Sequence, residues 1–234
     1  MDRWIHFNMA IVGGFLGGFA ILNHHDLFGS AQTSNLISVF ADFAGHPDAN
    51  FLVRLLGVFI YMFALSLTVI LPKFTKLHLP YVSLCIDALA ALIVAFLPSN
   101  LNDFIALYPL YFAMAIQWCS FKGGDGFTCS TIFSTNNLRQ FTTSLTEYLL
   151  SKDPDALRKW KFFASVLFSF HFGVIVSYLS CKNLGQMGSL VCFLPVVSGF
   201  SLVYVKRHFV AVKHLVYRLW IAPKKNTVCI SESE

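Results

Sequence analysis

The sequence predicts an all-α, polytopic membrane bundle built from two similar halves, and three observations predict it. The first is composition. Hydrophobic residues make up 56% of the chain and charged residues only 12%, with a mean hydropathy of +0.64. Soluble domains carry roughly 25% charged residues, so a chain this poor in charge cannot cover a water-facing surface. The second is hydropathy. Six mainly apolar stretches of about 20 residues, the length that crosses a bilayer core, fall near 7–23, 53–72, 79–98, 103–121, 161–180 and 186–205. The third is a repeat. Thr33-Ser34-Asn35-Leu36, an amphipathic stretch, His46-Pro47-Asp48-Ala49 and an apolar run recur as Thr135-Asn136-Asn137-Leu138, an amphipathic stretch, Asp153-Pro154-Asp155-Ala156 and another apolar run. The second copy is about five residues longer before its Pro-Asp-Ala, and such self-similarity marks a repeat architecture. In a small polytopic protein it points to a transporter-like fold.

Met1-Asp2-Arg3-Trp4 leads straight into the first span without an Ala-x-Ala site, so a retained span is expected rather than a signal peptide. His24-His25-Asp26 closes that span. Adjacent histidines point different ways on a helix, so a shared metal is not expected. The interval 28–50 then holds the first motif. Leu36, Val39, Phe40 and Phe43 share one face and Ser38 and Asp42 the other, the spacing of an amphipathic helix. Spans two, three and four follow. Asp87 falls near the middle of the third, and Gln117 closes the fourth. The interval 122–159 opens with Gly123 to Gly126 and holds the second motif. There Leu138, Phe141, Leu145, Tyr148 and Leu149 oppose Arg139, Thr142, Thr143, Thr146 and Glu147. His171 lies within span five. After span six comes a basic, partly apolar tail, expected to lie as an interfacial helix on anionic lipid. The chain therefore divides into one transmembrane domain, 1–205, made of repeats 7–98 and 103–205, and a cytoplasmic tail, 206–234.

Charge orients this arrangement. With the N-terminus in the cytoplasm, fifteen of the seventeen Lys and Arg fall inside, leaving only Arg54 and Lys182 outside. Both termini are then cytoplasmic. Each half holds three spans, so the repeats are inverted. If the amphipathic helices cross the membrane themselves, the repeats are parallel instead; the charge count favours inversion.

Ser, Thr and Asn at helix starts accept from free backbone N–H groups, and Asn137 with Gln140 has the spacing of a capping box. One reading is that the two motifs only cap helices. The other adds depth. Gly29-Ser30 and Gly123 to Gly126 allow a helix to break or a loop to re-enter. Non-helical backbone survives at membrane depth only when buried in protein or lining a wet cavity. Two such breaks would aim two positive helix N-termini at one central site, suited to an anion or the electronegative end of a solute.

Gly13-Gly14-Phe15, Ala31-Gln32-Thr33-Ser34-Asn35 and the Pro-Asp-Ala with its following span resemble the YoaK-type bacterial inner-membrane proteins (domain of unknown function 1275), over about residues 10–205. The resemblance implies an inner-membrane, multi-pass protein and no particular activity. Ser34 and Asn136 stand where the family motifs carry glycine, and Gly17-Gly18 where an Asp-Ala often falls.

The expected function is a small-solute transporter. Gln32, Thr33, Ser34, Asn35, Gln117, Thr135, Asn136 and Asn137 are the expected lining, and Asp42, Asp87 and Glu147 are the ion or proton candidates. The alternatives are a channel of the same fold, or a membrane enzyme or assembly factor acting on a lipid-soluble substrate, which would need a cavity open sideways to lipid and a nucleophile or base pair such as Asp42 and His24 within about 3 Å. No GxxxxGK[ST], HExxH or GxSxG occurs, so no enzyme is expected. The six cysteines, Cys85, Cys119, Cys129, Cys181, Cys192 and Cys229, show no CxxC pair and predict neither disulfides nor zinc. No cofactor and no nucleic-acid partner is expected; the partners are lipid and a polar or anionic solute. Six short spans bury little interior, which favours a homodimer, though no strong GxxxG span decides it. Gly14 to Gly18 is the small-residue segment where helices could approach closely.

Overall fold

The computed structural model describes residues 1–24, 27, 32–45, 49–98 and 100–220, with side chains through 209. The elements are α1 (Asp2–Asn23), α2 (Thr33–Phe43), α3 (Phe51–Phe74), α4 (Leu79–Ala95), α5 (Asp103–Ala106), α6 (Tyr108–Ser120), β1 (Gly123–Gly124), β2 (Phe127–Thr128), α7 (Thr135–Ser151), α8 (Pro154–Leu184), a 3-10 helix (Gly185–Cys192) and α9 (Phe193–Trp220). The all-α expectation holds. Among the described residues, three stretches are long and apolar enough to cross a membrane: Asp2–Asn23, Phe51–Phe74 and Pro154–Phe209, the last holding α8, the 3-10 helix and most of α9.

Local chemistry moves several boundaries. Asp153 caps α8: its carboxylate accepts from the Asp155 and Ala156 N–H groups, each at 3.2 Å, and Pro154 is preset for the first helical position. The second Pro-Asp-Ala is thus a helix start, and α8 begins ahead of the expected 161. The first copy's His46-Pro47-Asp48 lies outside the described residues, as do Gly29, Ser30, His25, Asp26 and Cys229. The fourth stretch is two helices broken at Leu107, where Pro109 lacks the N–H that would continue the helix. The third ends at Ala95, short of Pro98. The sixth begins as a 3-10 helix after Gly185, which takes a positive φ of 58° that terminates α8. The tail expected from 206 continues α9 to Trp220, and residues 221–234 lie outside the described set.

Helix α1 is the centre of the packing, buried on all sides from Val12 to Ala20. It runs parallel to α8. A Cβ on Gly14 would stand 1.9 Å from the Phe170 carbonyl oxygen, and one on Gly173 would stand 2.2 Å from that of Ile11. Small residues at this crossing let the backbones touch, which is how helices associate without a hydrophobic drive. Helix α6 runs parallel to α3: the Tyr108 hydroxyl donates to the Val53 carbonyl at 2.7 Å, and Gly57 lies under the Tyr111 ring. Helices α1 and α6 run antiparallel, with Met9 beside Gln117. Helix α9 also opposes α1: Lys206 pairs with Asp2 at 2.5 Å, and Asn8 donates to the Pro195 carbonyl at 2.8 Å. Helix α4 packs on α6, α7 on α8 and α2 on α3.

Candidate functional site

The chain between α6 and α7 makes the most polar buried constellation. After Ser120 it forms a hairpin whose turn needs the left-handed conformation at Asp125 and Gly126 (φ 53° and 87°). The hairpin rests at the start of α1, with Gly124 against the Arg3 backbone. Arg158 donates to the Asp125 carbonyl at 2.5 Å. The chain then leaves regular structure and dives. By Thr131 it has reached Gly13, half-way along α1, where a Cβ would lie 2.2 Å from the Thr131 carbonyl oxygen.

This irregular piece carries its own hydrogen bonds, as buried backbone outside helices must. The Ser130 hydroxyl accepts from the N–H groups of Ile132 and Phe133, both at 3.2 Å. Asn137, one turn into α7, donates to the Ser130 and Phe133 carbonyls at 2.8 and 2.9 Å. Its oxygen accepts from the Cys129 thiol at 3.2 Å. Gln117 joins the piece to α1: its amide nitrogen donates to the Met9 carbonyl at 2.8 Å and to the Thr131 hydroxyl at 3.0 Å. The Gln117 side-chain oxygen is buried and has no partner among the described residues.

The first motif starts α2, which packs on α3. Asn35 donates to the Gln32 side-chain oxygen at 2.9 Å and lies near the Tyr111 hydroxyl of α6. Neither motif helix has a side-chain cap at its start, so the caps expected from Ser, Thr and Asn, and the Asn137–Gln140 box, are not made. Asn137 spends its amide on carbonyls before the helix rather than accepting from N–H groups within it. Of the expected lining, Asn35, Asn137 and Gln117 are buried, Gln32 is half-buried, and Thr33, Ser34, Thr135 and Asn136 are exposed. Asn35 and Asn137 have separate partners and do not meet.

The three carboxylates are also separate. Asp87 is fully buried in α4 and accepts from the Ser83 hydroxyl at 3.4 Å. Asp42 is half-buried on α2, and Glu147 is exposed on α7. No cluster able to hold a metal ion occurs among the described residues. His24 hydrogen-bonds through Nδ1 to Asp103 at 2.7 Å, so the partner of this histidine is not Asp42. His171 is exposed, with Nδ1 on the Leu167 carbonyl.

Sequence reasoning missed the residues that complete the polar constellation: Gly13, Thr131, Ser130, Cys129 and the Met9 carbonyl. A signal existed. Ser130 and Thr131 are hydroxyl residues a few positions before the second motif, and Gly13-Gly14 is one of two glycine pairs in the first helix.

A family model described as "Protein of unknown function (DUF1275)" matches residues 5–204. No curated protein and no solved structure matches the chain.

Proposed function

We propose that this chain, which belongs to the DUF1275 family of proteins of unknown function, is a small-solute carrier of the bacterial inner membrane, with six spans, inverted halves and both termini in the cytoplasm. The observation that carries this reading is the dive of the chain to the level of Gly13. Irregular, internally hydrogen-bonded backbone wedged between two antiparallel central helices is the construction that transporters use for solute sites. The helix pairings support the inverted repeat. Exchanging α1 for α6, α2 for α7, α3 for α8 and α4 for α9 turns three of the pairings into three others: α1 on α8 becomes α6 on α3, α7 on α8 becomes α2 on α3, and α1 on α9 becomes α6 on α4. The antiparallel run of α1 and α6 gives the halves opposite directions.

A carrier is favoured over a channel by a cavity of about 480 Å³ that opens at one end of the bundle and is walled by buried Ile5, His6, Phe121 and Val203. The Asp42–His24 pair that an enzyme reading could have used is not made, since His24 is held by Asp103. Gln117, Thr131, Asn137 and Asn35 are the polar groups placed to meet solute when the halves rock.

We assign the second copy of the chain as the lateral partner. On α7, Asn136, Arg139, Thr143, Thr146 and Leu150 are all exposed. Their spacing of three, four, three and four residues is that of a helix–helix seam, and polar residues of this kind join helices in membranes.

The test is electrical and flux measurement on proteoliposomes, with a panel of small polar and anionic solutes added to either side. A saturable, solute-dependent signal that falls at least about tenfold in Gln117→Leu is expected, the loss that follows when a buried polar contact to solute is removed. An unsaturable current would make the protein a channel, and silence across the panel would remove transport altogether.

A further inference from the structure

The cavity at the start of α1 has a chemistry of its own. Lys122, Lys206 and Arg207 border it with His78, and Asp2 is its one carboxylate. Asp2 is engaged with Lys206 at 2.5 Å. Lys122 and Arg207 have no ion pair among the described residues. The positive groups already crowd one another: burial, followed by Arg207 and Lys206, holds the His78 imidazole below its ordinary range. At the floor lies His6, 1% exposed. Both of its ring nitrogens lack a hydrogen-bond partner among the described residues. A buried polar ring without partners is costly unless something fills the space beside it. The Phe162 ring stacks on it at 5.9 Å and offers no acceptor in the ring plane.

We propose that this vestibule is a binding site for an oxyanion, a phosphate or carboxylate group, held between Lys122 and Arg207 with a His6 ring nitrogen donating to it from the floor. Cations with no carboxylate to neutralise them attract such a group. A low-dielectric floor strengthens the attraction, and a planar guanidinium can grip two oxygens of it. The volume of about 480 Å³ suits a small organic anion as well as inorganic phosphate. The site deepens the carrier reading by naming the class of solute, but it does not depend on transport being observed.

The experiment is calorimetric titration of the full chain in neutral detergent with inorganic phosphate, at constant ionic strength balanced with chloride. Saturable binding is expected in the wild type, weakened at least about tenfold in Lys122→Gln/Arg207→Gln and in His6→Leu. The first pair lies at the surface and leaves the core intact, so a folding failure of His6→Leu would not spoil the test. Lipid extracted from the purified protein is measured alongside. Phosphatidylglycerol that co-purifies with the wild type and is lost in the double variant supports the site, with a lipid headgroup as the oxyanion. Phosphate binding that survives all the substitutions, or no binding and no retained lipid, overturns it. Phosphate binding without uptake into proteoliposomes would keep the site and sink the carrier.

Discussion

Two segments begin with nearly the same letters and are used differently. In Thr33-Ser34-Asn35 and Thr135-Asn136-Asn137 only the third residue turns inward. Asn137 then binds the chain before it, closing the Ser130–Phe133 turn against α1. Asn35 binds Gln32 of its own motif and reaches across to Tyr111. The outward faces differ still more. On α2, Ile37, Phe40 and Phe43 are exposed and suit lipid. On α7, Asn136, Arg139, Thr143 and Thr146 are exposed and do not, although Leu138, Leu149 and Leu150 of the same helix are exposed too. A repeat therefore conserves the residue that fixes the backbone, while each copy adapts its surface to what lies beside it.

The largest effect expected bears on the backbone side of this contrast. Gly13→Leu forces a side chain into the Thr131 carbonyl and should cost about 3 kcal/mol or more, read as loss of monodisperse protein and a lowered Tm in detergent. A wild-type Tm would mean that the dive of the chain past Gly13 is not part of the folded protein. Asn137→Ala comes next. It strands two buried carbonyls and should cost about 1–3 kcal/mol. Asn35→Ala removes a side-chain partner and a tyrosine contact, and should cost about 0.5–1.5 kcal/mol. Equal losses in the two alanine variants would break the comparison.

Much of this was legible in the sequence. Long apolar runs gave the helices, and i, i+3, i+4 patterns gave α2 and α7, because both depend on nearest-neighbour spacing. Asn35 and Asn137 were legible as the shared third residue of a repeated motif, and Gln117 as a polar residue closing an apolar run. The exposure of Thr33, Ser34, Thr135 and Asn136 was not. It depends on how each helix is rotated about its axis, which α3 and α8 decide by packing. The 3-10 start of the last stretch was also hidden. Nothing in Gly185-Gln186-Met187-Gly188 distinguishes it from a loose α-helix; the choice follows from Gly188 lying against the Ser180 and Cys181 backbone. The vestibule was beyond reach of spacing altogether, since His6, His78, Lys122 and Arg207 come from four distant parts of the chain.

The smallest effect expected tests the outward faces. If lipid covers α7, Thr143→Leu replaces an exposed hydroxyl residue with one that lipid prefers, and the monomer should gain stability or stay the same. If a second copy covers it, the leucine must fit into the seam between Asn136 and Thr146. The dimer should then weaken by about 0.6–1.5 kcal/mol, roughly three- to tenfold in its dissociation constant, while the stability of the monomer is unchanged. The corresponding change on the first copy, Phe40→Leu, should leave association alone, because it exchanges one exposed apolar side chain for another. Dimer fraction measured by fluorescence energy transfer in liposomes, across a range of protein-to-lipid ratios, separates the two cases. A dimer weakened by Phe40→Leu and not by Thr143→Leu would exchange the roles of the two faces. The polar side of α7 would then have to face water, which would place it on the solute path rather than at the edge of the protein.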